Sequence, residues 1–144
     1  GLYAMNSLRM EKGYRGWGAE LTNEVTMLEA DMARFYASAK DDLVGKAATE
    51  NNAAGALRLV YFEVEAQDAD VRGGEPIFLG DECVGVTTSG GYGHAVEKSL
   101  GFGYVPLEQA EPGSVIDIGL LDARCSATVL AEPIYDPANN RLAS

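Results

Sequence analysis

This sequence predicts a mainly β protein, a six-stranded antiparallel barrel or jelly roll that follows an N-terminal helical segment. Short apolar runs bounded by Gly, Pro and Asp recur from Ala56 onward. Several of them alternate inward and outward at the period of a strand. Six short antiparallel strands at this spacing lose their exposed edges by closing on themselves. The periodicity changes near Asn51–Gly55, helical before it and mostly extended after it.

The helical zone opens with Leu2, Met5 and Leu8 at helical spacing and with Asn6, Arg9 and Lys12 on another face. Residues 1–12 therefore read as an amphipathic helix, with Gly13 as its left-handed stop. Tyr14 to Glu24 is glycine-punctuated and aromatic, which reads as a loop. Thr26 can cap a helical turn through Met27–Ala30, with Glu29 as its capping-box partner. Asp42 can cap a helix from Leu43 to Glu50, whose small residues favour helix. This zone is too short and interrupted to enclose a core, so it packs on something else.

In the extended zone, Arg58–Glu65 begins apolar on both faces and then alternates, Phe62 and Val64 inward against Glu63 and Glu65. A turn cluster at Asp68–Gly74 leads into Pro76–Leu79. The turn Gly80-Asp81-Glu82 and the run Cys83–Thr88 complete a hairpin. Leu100–Val105, Ser114–Leu121 and Arg124–Ala131 supply three more strands, with Pro106 and Pro112-Gly113 at their boundaries. Pro133–Ser144 reads as a surface tail.

Composition narrows the function classes. With 144 residues the chain can hold one core plus an appended piece, and 47% hydrophobic with 23% charged residues is globular composition. A net charge of -11 and one histidine argue against nucleic-acid binding and against a multi-histidine metal centre. No apolar run reaches the roughly 20 residues of a membrane span. The start lacks signal-peptide order, so neither membrane nor export is expected, and the cytoplasm is the expected compartment. Cys83 and Cys125 lack metal or redox spacing and read as buried, inert thiols.

Among residues that can carry chemistry, Arg9 and Glu11 stand near a helix C-terminus. Adjacent opposite charges there are ordinarily a solvated pair. Leu8, Met10 and Tyr14 surround them with apolar bulk, however, and a carboxylate so placed can accept N–H donors from a planar heterocycle. The glycines at 90, 91 and 93 match no phosphate-loop order and read as a tight turn needing unusual backbone angles, with Tyr92 and His94 at its tip. Trp17 with Tyr14 reads as a packing cluster rather than a stacking platform.

A series of ordered segments along the chain carries a resemblance. Ser7-Leu8-Arg9-Met10-Glu11-Lys12-Gly13 is similar to the Ser-Leu-Arg-Leu-Glu-Ala-Gly segment of folate-dependent aminomethyltransferases, the glycine cleavage T-protein family. Thr26-Met27-Leu28-Glu29-Ala30 resembles its Thr-Pro-Leu-Glu-Ala, with Met27 in place of proline. The stretches Gly73–Ile77, Val84–His94 and Lys98–Val105 resemble its C-terminal barrel. The Ser-Gly-Gly-Tyr-Gly-His order at 89–94 and the ending Pro133-Ile134-Tyr135-Asp136-Pro137 also resemble the folate domains of sarcosine and dimethylglycine dehydrogenases.

The resemblance implies that the helical segment, residues 1–52, is the remnant of a truncated α+β folate-binding domain and that 53–144 is the barrel domain. It implies tetrahydrofolate as cofactor, with Glu11 at the pterin and Tyr14 beside it. Lys40 stands where the family's basic run supplies an arginine, as a point charge for the glutamate tail. The family transfers a one-carbon unit from a small methylated amine or aminomethyl donor to a folate nitrogen. Its catalytic aspartate, and FAD in the dehydrogenase relatives, belong to an upstream domain of the same polypeptide. No catalytic residue is assigned here, so the fragment alone is expected to be inactive. The alternative is a non-catalytic barrel that stabilises a neighbouring domain.

Overall fold

The computed structural model describes residues 1–51, 55–141 and 143 of the chain. The 52/53 boundary between the two sequence zones lies outside these residues. The elements are α1 (Leu2–Glu11), α2 (Lys46–Asn51), β1 (Leu57–Val64), β2 (Pro76–Leu79), β3 (Glu82–Gly93), β4 (Lys98–Pro106), β5 (Val115–Leu120) and β6 (Ala123–Val129). One-turn 3-10 helices at Ala33–Phe35 and Leu107–Gln109 had no sequence signal. The six strands close in the order β1-β4-β3-β2-β5-β6, every pairing antiparallel.

Closure is completed by β1 against β6, with Phe62 opposite Val129 and Val64 opposite Ala127. Val60, Phe62 and Val64 point into the barrel and join Ile77, Val105, Ile116, Ile118 and Leu120 in one core. The other face of β1 is buried too. Leu59 and Tyr61 pack with Leu100, Phe102 and Met10 in a second core between the barrel wall and α1. The start of β1 thus reads apolar on both faces because each face has its own partner.

Three readings are corrected. The Thr87–His94 stretch is not a turn: β3 runs to Gly93, and the reversal follows it, with Glu97 at φ 54°. Its glycines answer close approach rather than unusual backbone angles. A Cβ on Gly90 would stand 2.5 Å from the Cβ of Val71. The helix predicted from Leu43 starts only at Lys46, after Gly45 at φ 80°, and Asp42 pairs with Lys40 instead of capping it. Cys83 is exposed and Cys125 half-buried, because Cys83 lies beside the turn that joins β2 to β3.

The fourth correction concerns how α1 sits. Gly13 ends it at φ 62° as expected, but Leu2, Met5 and Leu8 are 77%, 60% and 63% exposed. The face turned to the barrel carries Asn6, Ser7, Met10 and Glu11. Asn6 Nδ2 donates to the carbonyl of Gly90 at 2.8 Å, and Ser7 Oγ to that of Tyr92 at 2.7 Å. These carbonyls belong to the half of β3 that has no strand beyond it, so polar side chains of the helix cover an otherwise open edge. Polar hooks override the apolar repeat.

The remaining segments close around this helix. Thr26 and Glu29 form the expected reciprocal box, Thr26 N to Glu29 Oε2 at 2.8 Å and Glu29 N to Thr26 Oγ1 at 3.2 Å, around a turn rather than a helix. The tail returns to α1: Tyr135 N–H donates to the carbonyl of Glu11 at 3.2 Å. Lys12 Nζ donates to the carbonyl of Asp136 and to Asn139 Oδ1, each at 2.7 Å. Among the described residues no helix is long and apolar enough to cross a membrane.

Candidate functional site

Glu11 is the last residue of α1, and its side chain is 2% exposed. Met10 enters the second core, and Glu11 follows it beneath the reversal after β3. Its Oε1 accepts the backbone N–H of Ala95 at 2.6 Å. Only glycine at 93 leaves it room, since a Cβ there would stand 2.8 Å from the Cγ of Glu11. Oε2 accepts no hydrogen bond among the described residues and is not sealed from solvent. A carboxylate at the negative end of a helix dipole, with no ion pair among the described residues, sits against its electrostatic preference.

Arg9 does not pair with Glu11. Its guanidinium reaches Glu20, whose side chain is fully buried, at 2.9 Å. The same oxygen of Glu20, Oε2, accepts the N–H of Gly16 at 2.6 Å. Oε1 accepts the hydroxyls of Thr88, at 2.8 Å, and Ser89. This carboxylate binds α1, the loop after it and β3 into one body. Sequence reasoning passed over it: Glu20 lies in a stretch with no period, and its hydroxyl partners are 68 and 69 positions away.

Two buried phenols flank the region. Tyr61 Oη donates to the carbonyl of Met10 at 2.8 Å. Burial pushes this phenol well above its usual range and the charges of Glu11 and Glu63 add to that, against an opposing backbone hydrogen bond at Ile134. It stays a donor. Tyr104 Oη donates to the carbonyl of Glu20 at 2.9 Å. Burial, then the charges of Glu20 and Glu29, push it up to about 12, with Arg15 opposing. On the far side of β3, burial pushes the carboxyl of Glu75 up, but the Thr87 hydroxyl and the N–H groups of Arg72, Gly73 and Glu75 outweigh it and hold it below its usual range.

Tyr14 lies across a cleft of about 480 Å³ between the loop after α1, the start of β1 and the tail. Lys12, Arg15, Arg34, Arg58 and Tyr61 share the lining. Glu11 does not line it, so the structure places Glu11 and Tyr14 on neighbouring but different surfaces. Trp17 is 82% exposed and forms no packing cluster with Tyr14. Lys40 does not line the cleft; its side chain is 59% exposed and stands 3.6 Å from Asp42.

Residues 58–136 match the model of the glycine cleavage T-protein C-terminal barrel domain. The chain belongs to this family. Dimethylglycine dehydrogenase, mitochondrial, from Homo sapiens is 39% identical over 99% of the chain. An aminomethyltransferase from Corynebacterium aurimucosum is 33% identical over 94% of it. The chain spans only 17% of the former and 37% of the latter. In three dimensions it is similar to the glycine cleavage system aminomethyltransferase T from Bartonella henselae. That match has a TM-score of 0.85 at 24% identity, covers 95% of this chain and 39% of the other, and shows the fold. The closed sheet from β1 to β6 accounts for most of the matched residues of this T-protein C-terminal barrel, and α1, the segment after it and α2 precede them.

Proposed function

We propose that the chain is the C-terminal portion of a tetrahydrofolate-dependent aminomethyltransferase or N-methylglycine-type dehydrogenase, and that it helps hold folate during one-carbon transfer. The observation that carries this reading is Glu11: a buried carboxylate fixed through one oxygen by the Ala95 N–H, with the other oxygen free to accept. Such a group fits the N–H edge of a pterin, because it is positioned before the ligand arrives and loses little freedom on binding. Folate supplies the nitrogen that takes up the one-carbon unit. Glu11 orients the ring, while Tyr14 on the neighbouring surface and the Lys40 point charge, outside the cleft lining, would reach the ligand only in the site that the upstream domain completes.

The reading assigns no catalytic residue to this chain. Its partners are a methylated amine or aminomethyl donor and an upstream domain of the same polypeptide, which would carry the reacting carboxylate and, in a dehydrogenase, FAD. The exposed Leu2, Met5 and Leu8 face supports such a neighbouring domain. The 144 residues alone are then inactive. The cytoplasm is the proposed compartment, although the human relative is named as mitochondrial.

Folate titration of the full-length protein, wild type against Glu11→Gln, tests the proposal. Glutamine keeps an acceptor for the Ala95 N–H but removes the charge, so affinity should fall about tenfold or more. Unchanged affinity would favour the second reading, a non-catalytic barrel that stabilises a neighbouring domain. The hydrogen bond from the Ala95 N–H to Glu11 supports that second reading, since it ties α1 to the reversal after β3 without any ligand.

A further inference from the structure

We propose that the cleft beside Tyr14 binds a small organic anion, a carboxylate or phosphate group on an apolar body. The chain carries twice as many acidic as basic residues, 22 against 11. Yet four of its cations, Lys12, Arg15, Arg34 and Arg58, line this one cleft. Lys12 and Arg15 are committed, to Asp136 and Asp31. Arg34 only lies over the ring of Phe35, at 4.7 Å, and Arg58 makes no side-chain hydrogen bond or ion pair among the described residues.

The two buried side-chain atoms that lack a partner among the described residues, Nε of Arg15 and Nε of Arg58, belong to this same lining. Both are closed to a ligand, but each leaves its guanidinium under-satisfied, which strengthens the attraction for an anion at the outer nitrogens. Three carboxylates also line the cleft. Asp31 is held by Arg15, whereas Glu111 and Glu132 are exposed at the rim. Among the described residues the lining therefore offers the unpaired guanidiniums of Arg34 and Arg58 beside two exposed carboxylates.

The head group is a carboxylate or phosphate because a guanidinium fork matches either in two parallel hydrogen bonds. The body is apolar because Leu107, Pro112 and Leu130 share the lining and about 480 Å³ is far more than one oxyanion fills. Neither Glu11 nor Lys40 lines this cleft, though Tyr14 does, so the Glu11→Gln folate titration distinguishes failure of the folate reading from failure of this one.

Benzoate and phenyl phosphate, titrated into the 144-residue chain by amide NMR, are the test, with acetate and inorganic phosphate as probes without a body. Saturable shifts confined to residues around 12–15, 58 and 130 are expected with benzoate or phenyl phosphate, and whichever binds identifies the head group. Arg58→Gln and Arg34→Gln should each weaken binding about tenfold. Glu111→Gln should tighten it, a change that loss of folding cannot mimic. Absence of saturation by both aromatic probes in the millimolar range, or affinity unmoved by all three substitutions, overturns the proposal.

Discussion

Replacing Glu20 separates charge from shape in the polar clip that holds α1 to the barrel. The carboxylate takes four hydrogen bonds with no solvent contact: Oε2 from Arg9 and Gly16, Oε1 from Thr88 and Ser89. Glu20→Ala strands a guanidinium whose side chain is 19% exposed and two hydroxyls that lose their acceptor. Removing one partner of a buried pair costs about 3–5 kcal/mol. Glu20→Gln keeps the shape: the amide oxygen can serve Arg9 and Gly16, and the amide nitrogen can donate to the two hydroxyls, which accept as readily as they donate. Only the charge is lost, so the cost should be about 1–2 kcal/mol. Equilibrium denaturation should rank wild type above Gln and Gln well above Ala, the last with a midpoint lower by roughly 10 °C. Hydrogen exchange at the Gly16 amide should accelerate in the same order. If Ala costs under about 1 kcal/mol, or Gln costs as much as Ala, the clip is not what secures the helix.

Two further outcomes test the packing and electrostatics. Gly90→Ala should destabilise by about 3 kcal/mol, because its Cβ must displace Val71 and the Val71 carbonyl, at 2.5 and 2.6 Å. Gly91→Ala meets only the flexible amide of Asn6 at 3.0 Å and should cost under about 1 kcal/mol, by denaturant unfolding of both variants. Stability should fall as pH rises from about 10 towards 12. Tyr104, pushed up to about 12 by burial and by Glu20 and Glu29, keeps its proton in the folded state after the unfolded chain has lost it at the usual 10.0. Tyr61 acts in the same direction. Unfolding curves across that window check the sign, and the absence of the fall in Tyr104→Phe/Tyr61→Phe assigns it.

What could be read in advance depended on whether a residue's partner lay near it in sequence. Strands declared themselves through alternation and turn residues, so β1, β2, β4, β5 and β6 fall within a few residues of expectation, and the Thr26–Glu29 box is local by nature. The second half of β3 was hidden because its glycines suggested a turn, whereas Val71 and Glu11 press on them from other segments. The orientation of α1 was misread for the same reason: Leu2, Met5 and Leu8 gave the stronger pattern, but the receiving groups are carbonyls of β3, which have no sequence signature. Of the site, the apolar surroundings of Glu11 were legible, and the structure buries that side chain. The Arg9–Glu20 pair and the guanidiniums of Arg34 and Arg58 were not, since a loop without period brings them into place.

The helix is tied down across great distances along the chain: Asn6 and Glu11 hold residues 84 positions onward, and Lys12 grips acceptors 124 and 127 positions away. It therefore precedes in sequence every segment of this chain that seats it. Until the final strand has closed and the tail has passed over it, these ten residues lack every partner this chain supplies, and ten are too few to persist as an isolated helix in water. Maturation of the acid pocket is thus a late event, timed by completion of the sheet rather than by the appearance of Glu11 itself.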